Sequence, residues 1–430
     1  MKRKFYDTLC EWKDKYICTP LMVVGARQTG KTYLIEEFCK NEFEDWIGIS
    51  IDLHDEIAAI FEDTIIPEEI IRRIEISLGR KIDINNTVIF FDEIQVSERV
   101  ICSLKYFCES KLPYKIICAG SLLGVKLRRF KSSFPVGKVR IEYMYPMDFE
   151  EFLLALDKQV WIDEIKGCYL RSRKIHIHEK LMQLYRMYLC IGGMPQAIKN
   201  YIDVHEDILL WDKKIITNII TSYLADMSKY TLNSGEALRI EKVFNAIPTC
   251  LAQKNKKFKY VNIEKGANKQ VFESSIDWLT SCNMIYKCMA IDNAQIPLKV
   301  YTKENFFKLY LNDVGILTSM LKFDFAQILL NRDFRFKGGI AENYVAQAFI
   351  INNIDLYYWT SGNEAEVDFL IYNQDGVIPV EVKAGEHTRS RSLEVYMQKF
   401  KPKYAIRISA KNFGFENSIK SVPLYAAFCI

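Results

Sequence analysis

The stretch that decides the fold is LMVVGARQTGKTYLIEEFCK, residues 21 to 40. Four apolar residues run into Gly25, and the pattern G-x-x-x-x-G-K-T ends at Thr32. An amphipathic pattern follows, so the loop lies between a predicted strand and a predicted helix, which is the context that this phosphate-binding motif requires. The glycines let backbone N–H groups turn inward, and the helix N-terminus adds the positive end of its dipole. The stretch predicts an α/β fold built around a P-loop.

The residues of the loop have different predicted roles. Lys31 is expected to reach the β- and γ-phosphates of a nucleotide, and Thr32 to ligate Mg²⁺. The remaining positions are expected to surround the phosphates, and these are Gly25, Ala26, Arg27, Gln28, Thr29 and Gly30. ATP and Mg²⁺ are therefore the predicted cofactors.

A second strand supplies the acidic residues that such a loop needs. The apolar run from Val88 to Phe91 is typical of a parallel strand buried on both faces, and it ends at Asp92 and Glu93. We expect Asp92 to hold Mg²⁺ through water and Glu93 to orient the attacking water. A third strand, YKIICAGS, ends at Ser121, which we expect to sense the γ-phosphate.

Composition is that of an ordinary globular protein. The 430 residues are 49% hydrophobic and 26% charged, which allows roughly two to four domains. A net charge of +4 argues neither for nor against a nucleic-acid partner. The apolar runs are shorter than the ~20 residues that cross a bilayer, and the N-terminus lacks a signal-peptide pattern. The twelve cysteines form no metal-binding pattern, so a cytoplasmic protein with reduced thiols and no membrane partner is predicted.

The middle of the chain is predicted to be helical and then to change pattern. Residues 148–240 would form a helical lid on a core of residues 1–147. Residues 241–300 would form a winged-helix-like segment, with a helix ending at Lys265, a second helix over 269–282 and two strands of a wing. In a DNA-binding version Lys269 and Gln270 would enter the major groove. Phosphate contacts would come from Lys254, Lys256, Lys257 and Lys259. Alternatively, the segment is a packing module and its lysines lie in a solvated loop.

A predicted hairpin in residues 301–430 carries a second group of charges. In VIPVEVKAG, residues 377–385, Glu381 and Lys383 share the face opposite the apolar residues. With a symmetric loop over 373–376, Asp368 on the first strand faces Glu381, with Cβ atoms about 4.5–5.5 Å apart. A shift of register by two would make them diagonal neighbours. Facing carboxylates need a cation between them, and their oxygens suit Mg²⁺ or Mn²⁺. Lys383 would lie beside this second metal and orient or deprotonate water.

Five motifs carry a resemblance that covers essentially the whole chain. GARQTGKT, VIFFDEIQ, ICAGSLLG, YPMDFEEFL and CIGGMPQAI occur in the same order in a family of bacterial and archaeal AAA-type ATP-binding proteins. In this family a C-terminal domain of unknown function follows the ATPase. The resemblance implies an AAA-type P-loop core and the same roles for Lys31, Thr32, Asp92, Glu93 and Ser121.

One position departs from that family. The family usually has Gly-Arg where this sequence has Gly137-Lys138. Lysine lacks the planar fork with which arginine stabilises transition-state charge. Slow hydrolysis is therefore expected, unless Arg140 compensates.

The C-terminal acids resemble the PD-(D/E)xK nuclease superfamily. A glutamate near the start of a predicted helix, Glu342, precedes Asp368 and the Glu381-x-Lys383 pair. The resemblance implies a restriction-endonuclease-like fold, with Glu342, Asp368 and Glu381 as metal ligands and Lys383 as the catalytic lysine.

Two functions of different classes fit the sequence. In the first, an ATPase controls, through its nucleotide state, a C-terminal domain that cleaves or binds nucleic acid in a metal-dependent way. In the second, the chain is a nucleotide-dependent switch or scaffold whose nuclease-like module binds a partner and is catalytically silent. AAA-type relatives often form rings, so a homo-oligomer is a further expectation by analogy.

Overall fold

The computed structural model of the chain describes residues 1–121, 124, 135–231, 233–332, 334–362, 365–385 and 391–430. Residues 122–123 of the motif ICAGSLLG lie outside the described residues. The described chain divides into two compact units. The N-terminal unit comprises Lys2–Tyr145 with Ser281–Asn283, and the C-terminal unit comprises Pro146–Thr280 with Met284–Ile430.

The N-terminal unit is built on a parallel sheet. Its described strands are β1 (Leu21–Val24), β2 (Asp45–Ser50), β3 (Thr87–Asp92), β4 (Lys115–Gly120) and β5 (Arg140–Tyr143). They lie in the order β2-β3-β4-β1-β5, and every described pair is parallel. The P-loop strand β1 and the acidic strand β3 therefore flank β4. The continuous apolar runs of the sequence are those of strands with no solvent-facing side.

Helices cover both faces of this sheet. They are α1 (Phe5–Tyr16), α2 (Lys31–Glu42), α3 (Asp55–Asp63), α4 (Pro67–Leu78) and α5 (Glu98–Glu109). Leu21 and Val23 of β1 belong to the same core as Trp12 of α1. Met22 and Val24 belong to the opposite core, which includes Phe61 of α3. Burial on both faces is the reason that alternation is absent from this strand.

The C-terminal unit begins with helices, as the three- and four-residue apolar spacing predicts. They are α6 (Phe149–Ala155), α7 (Gln159–Arg171), α8 (His178–Ile191), α9 (Pro195–Asp203), α10 (Lys214–Lys229) and α11 (Ser234–Leu251). These helices form one compact unit with the C-terminal residues. The structure therefore differs from the expectation of a separate lid over 148–240, because the apolar faces of these helices are buried within the C-terminal unit.

A large mixed sheet completes the C-terminal unit. Its described strands are β6 (Ile285–Ile291), β7 (Thr302–Leu311), β8 (Tyr357–Thr360), β9 (Glu366–Asn373), β10 (Gly376–Val382), β11 (Ala405–Ser409), β12 (Gly414–Glu416) and β13 (Ile419–Pro423). Their order is β12-β13-β11-β10-β9-β8-β6-β7. The helices that accompany them are α12 (Lys269–Ser281), α13 (Val314–Met320), α14 (Phe325–Leu329), α15 (Lys337–Ile351) and α16 (Arg391–Phe400).

The predicted winged-helix-like segment is wrong in its boundary at residue 300. The two strands exist as β6 and β7 and pair antiparallel, but β6 also pairs in parallel with β8. They are therefore part of the C-terminal sheet. The second helix begins at Lys269 as predicted, whereas the first is reduced to a 3₁₀ turn over Tyr260–Asn262. β6 lies between β7 and β8 in the sheet, and most of its residues are buried.

The hairpin register is the one that the symmetric loop predicts. Tyr372 pairs with Val377, and Phe369 pairs with Val380. Continuing this register by one residue brings Asp368 opposite Glu381. The alternative register, shifted by two, is excluded.

Among the described residues, every helix is too short or too polar to cross a lipid bilayer.

Candidate functional site

The P-loop has the backbone that its glycines predict. Gly30 has φ +88°, and Gln28 adopts a positive φ of 64° inside the loop. A Cβ on Gly25 would lie 2.1 Å from the carbonyl oxygen of Met144, so only glycine fits against that backbone. The Thr29 hydroxyl is buried and donates to Ala26 O at 3.0 Å, which closes the loop on itself.

Lys31 lies at the first position of α2, and its ammonium is folded into the loop. Nζ donates to Gly25 O at 3.0 Å and to Ala26 O at 2.8 Å. No side chain caps the helix at Gly30. The positive end of the α2 dipole therefore faces the loop, where it would stabilise a bound anion.

Thr32 in the first turn of α2 contacts Asp92 at the end of β3. The Thr32 hydroxyl donates to Asp92 Oδ2 at 2.6 Å, and the backbone N–H of Glu93 donates to Asp92 Oδ1 at 2.9 Å. Burial raises the pKa of Asp92 above its ordinary value, against the lowering effect of these two hydrogen bonds. A hydroxyl and a carboxylate at this separation are oxygen ligands of the kind that Mg²⁺ prefers, so the pair fits a magnesium site.

Glu93 and Ser121 occupy the ends of the neighbouring strands. Glu93 has a left-handed φ of 52°, and its carboxylate accepts a hydrogen bond from the buried amide of Gln95. Ser121 is buried directly after β4, the strand between β1 and β3. Parallel strands end at one edge of the sheet, which places Ser121 between the P-loop and Asp92 in strand order.

In the C-terminal unit two of the three predicted acids, Glu342 and Asp368, converge on a lysine that the sequence pattern did not indicate. Lys308 of β7 is only 1% exposed. Its Nζ lies 2.8 Å from Glu366 Oε1, 3.4 Å from Glu342 Oε2 and 3.9 Å from Asp368 Oδ1. The hydroxyl of Tyr310 also donates to Glu342 Oε2, at 3.2 Å.

Three further lysines pair with acidic side chains in this region. Lys256 forms an ion pair with Glu342, and Lys257 Nζ lies 3.5 Å from Glu366 Oε2. Lys383 Nζ lies 2.6 Å from Glu381 Oε1. We name the following eight side chains the C-terminal ion cluster: Glu342, Glu366, Asp368, Glu381, Lys256, Lys257, Lys308 and Lys383.

The pKa values of Glu342 and Asp368 are shifted because both side chains are buried among other charged groups. Burial would raise the pKa of Glu342, but the ammonium groups of Lys256 and Lys308 more than offset it and lower that pKa to about 2. Burial and the nearby carboxylates of Glu342 and Glu381 raise the pKa of Asp368 well above its ordinary value. Asp368 Oδ2 also accepts a hydrogen bond from Val382 N at 2.8 Å.

The predicted second metal site is not formed. Within the part of the chain that the structure describes, no group of three or more His, Cys, Asp or Glu side chains has a geometry that could hold a metal ion. Glu342, Asp368 and Glu381 were the predicted ligands. The physical reason for the difference is Lys308, whose ammonium occupies the space among Glu342, Glu366 and Asp368.

Three regions of the chain match models of known protein families. Residues 19–153 match the family model "AAA domain". This part of the chain is similar to AAA domains, and we call it the AAA domain. Residues 182–327 match a domain of unknown function (DUF8612), and residues 337–427 match another domain of unknown function (DUF4143).

Individual relatives are distant. Over 114 residues the chain is 27% identical to the human protein interferon-induced very large GTPase 1. The aligned region covers 26% of this chain and 5% of that protein. It therefore spans about 5% of the length of this curated relative. The Walker-type ATPase of Pyrococcus abyssi aligns with a TM-score of 0.47 and 14% identity, covering 75% of this chain and 95% of that one. The ORC2 protein of Aeropyrum pernix aligns with a TM-score of 0.38 and 12% identity, covering 77% and 94%.

Arg3, which belongs to none of the sequence motifs, contacts the P-loop. Arg3 is 8% exposed, and its guanidinium donates to the carbonyl oxygens of Thr29 and Tyr145, each at 2.8 Å. It thereby ties the P-loop to the chain that follows β5. The only sequence signal was a basic residue before an amphipathic helix, which many surface helices share.

The two basic residues near the end of the AAA domain are engaged in ion pairs. Lys138 Nζ lies 3.3 Å from Glu109 Oε1. Arg140 pairs with Glu142 at 2.7 Å and with Glu11 at 3.5 Å, and its guanidinium lies over the ring of Tyr16. Both side chains are therefore held by acids of the N-terminal unit.

The predicted nucleic-acid residues separate into two groups. Lys256 and Lys257 face inward, in the C-terminal ion cluster. Lys254, Lys259 and Gln270 are exposed. Lys269 pairs with Glu273 at 3.5 Å and with Glu304 at 3.6 Å. The run of lysines from 254 to 259 is thus only in part a solvated basic patch.

Proposed function

We propose that this chain binds ATP with Mg²⁺ in its AAA domain and hydrolyses the γ-phosphate slowly, and that the nucleotide state controls the C-terminal unit. The observation that carries the proposal is the hydrogen bond of 2.6 Å between Thr32 Oγ1 and Asp92 Oδ2, beside the Lys31 ammonium. It joins the P-loop to the acidic strand at the place where a nucleotide's phosphates would lie.

Each residue has a separate task in this proposal. Mg²⁺ would be held by Thr32 and Asp92 and would neutralise phosphate charge. Lys31 exchanges its hydrogen bonds with Gly25 O and Ala26 O for bonds to the β- and γ-phosphates. Glu93 orients the attacking water, and Ser121 contacts the γ-phosphate.

Slow hydrolysis follows from the engagement of the nearby basic residues. Lys138 lacks the bidentate fork of arginine, and Arg140 is held by Glu11 and Glu142. An arginine that stabilises the transition state would then come from another copy of the chain, as in a homo-oligomer. Without it, the ATP-bound state persists long enough to act as a switch.

The test separates binding from chemistry. Binding of a fluorescent ATP analogue and phosphate release are measured for the wild type, Lys31→Ala and Glu93→Gln. Lys31→Ala should lose nucleotide binding, whereas Glu93→Gln should bind normally and hydrolyse about 10²- to 10⁴-fold more slowly. Lys40→Ala, on the exposed face of the same helix α2, is the matched control. Equal binding by the wild type and Lys31→Ala would overturn the proposal.

A second candidate function is nucleic-acid cleavage by the C-terminal unit. The observation that favours it is that Lys383 pairs with Glu381 and interacts electrostatically with Asp368 and Glu342, the set that the PD-(D/E)xK resemblance implies. Nucleic acid would then contact the exposed Lys254, Lys259 and Gln270, with Lys269 beside them. Cleavage of plasmid DNA in Mn²⁺, with and without ATP, tests it. Cleavage that Glu381→Ala abolishes would support a nuclease, and cleavage that persists in Glu381→Ala would point to a contaminant.

A further inference from the structure

The charges of the C-terminal ion cluster are already balanced by the chain itself. The cluster contains four acidic side chains and four lysines, and each lysine lies within ion-pair distance of an acid, so the cluster has no excess of negative charge. A divalent ion is attracted to a site that carries excess negative charge. The three acids and one lysine of the predicted nuclease site would have such an excess, but Lys256, Lys257 and Lys308 remove it.

Lys308 also occupies the space that a metal would need. Its ammonium has three N–H donors, and the three carboxylates nearest to it belong to Glu366, Glu342 and Asp368. A divalent ion would have to draw such oxygens to about 2.0–2.6 Å from one centre. That is incompatible with an ammonium among them.

Lys308 is held among these acids by its burial. The side chain is 1% exposed, and its Nζ lies 4.9 Å from the ring centroid of Tyr358. A lysine at the rim of a cleft can swing into water, but a buried lysine on a strand has no such exit. The residues therefore do not fit a metal.

We infer that Lys308 takes the place of the divalent metal among the C-terminal acids, and that the cluster is a metal-free ion network which does not cleave nucleic acid. The inference deepens the proposed function, on which it rests for the control of the C-terminal unit by nucleotide. Of the two facing acids on the β9–β10 hairpin, Asp368 lies near Lys308 of β7, whereas Glu381 pairs with Lys383.

The test measures Mn²⁺ binding directly, by calorimetry on the full chain without nucleotide. The proteins are the wild type, Lys308→Met, and Lys303→Met as matched control. Lys303 lies on the same strand β7 but pairs with Asp292, at 3.2 Å, outside the cluster. The wild type and Lys303→Met should bind no Mn²⁺ at the cluster. Lys308→Met should gain one Mn²⁺ site, which a further Asp368→Asn change should weaken by about tenfold or more.

Each outcome decides something. Mn²⁺ binding by the wild type that Asp368→Asn removes would overturn the inference, even if Lys308→Met failed to fold. A folded Lys308→Met protein that gains no Mn²⁺ site would overturn the role of Lys308. Phosphate release from ATP is measured on the same wild-type preparation. Its absence would contradict the proposed ATPase without changing the Mn²⁺ result, so the two failures are distinguishable.

Discussion

At the scale of single residues, Asp313 joins two distant parts of the C-terminal unit. It lies fully buried at the start of α13, where its Oδ2 accepts from Gly193 N at 2.6 Å and its Oδ1 from Ile316 N at 3.0 Å. Gly193 belongs to the GGMP turn, and a Cβ on Gly192 would lie 2.3 Å from Asp313 Oδ1. These contacts give a physical reason for the two glycines of CIGGMPQAI.

Asp313 should make stability fall as pH rises. Burial raises its pKa from 3.8 to about 6, although the hydrogen bonds from Gly193 and Ile316 lower it. The folded chain then holds the proton over a range in which the unfolded chain has lost it. The free energy of unfolding should fall between about pH 4 and about pH 6, by up to about 1.4 kcal/mol per pH unit. Above pH 6 this contribution should be constant.

Urea unfolding of the wild type and Asp313→Asn across this pH range measures the effect. The difference between their unfolding free energies should shrink toward pH 6, because asparagine does not titrate. Asp324→Asn, at the exposed N-cap of α14, controls for the loss of a helix cap. Wild-type and Asp313→Asn curves that stay parallel from pH 4 to pH 6 would contradict a buried, protonated Asp313.

At the scale of elements, the β9–β10 hairpin depends on one glycine. Gly376 has φ +99° directly after the two-residue loop Gln374-Asp375, and a Cβ there would meet nothing within 4 Å. Gly376→Ala should therefore lower the free energy of unfolding by about 1–2 kcal/mol, through backbone strain alone. Gly414→Ala in β12 also meets nothing within 4 Å and has an ordinary φ, so it is the matched control. Equal urea midpoints for the two variants would show that alanine at position 376 causes no backbone strain.

The hairpin also illustrates how far local pattern predicts structure. The alternation of β9 and β10 and the composition of their loop fix the register, so Asp368 and Glu381 could be placed on one face. The P-loop likewise follows from strand, glycines and helix within a single stretch. Both are local features, in which neighbours in space are near neighbours in sequence.

Lys308 could not be found in the same way. It occupies a strand whose pattern, ENFFKLYL, resembles any half-buried strand with one lysine. Its partners are distant in the sequence. Glu342 lies 34 residues away, and Glu366 lies on β9, which is not adjacent to β7 in the sheet. In the sheet order β9-β8-β6-β7, two strands lie between Lys308 on β7 and Glu366 on β9. Local periodicity contains no information about that order.

At the scale of the whole molecule, the proposed switch requires energetic coupling between two compact units. A nucleotide can shift the state of the C-terminal unit only by the difference in its affinity for the alternative conformations. Coupling free energies of this kind are typically about 1–3 kcal/mol, which changes a local opening equilibrium about 5- to 150-fold. Such a change is large enough to measure in backbone amides.

Hydrogen exchange of the full chain should therefore report nucleotide binding far from the P-loop. A non-hydrolysable ATP analogue should change exchange rates within Glu366–Val382 by at least about fivefold in the wild type. Lys31→Ala should not respond, because it lacks the ammonium that binds the phosphates, whereas Lys40→Ala should respond like the wild type. Protection confined to the N-terminal unit would mean that the AAA domain binds nucleotide without controlling the C-terminal unit. The proposed control of the C-terminal unit would then be wrong, whereas the proposed ATPase activity would be unaffected.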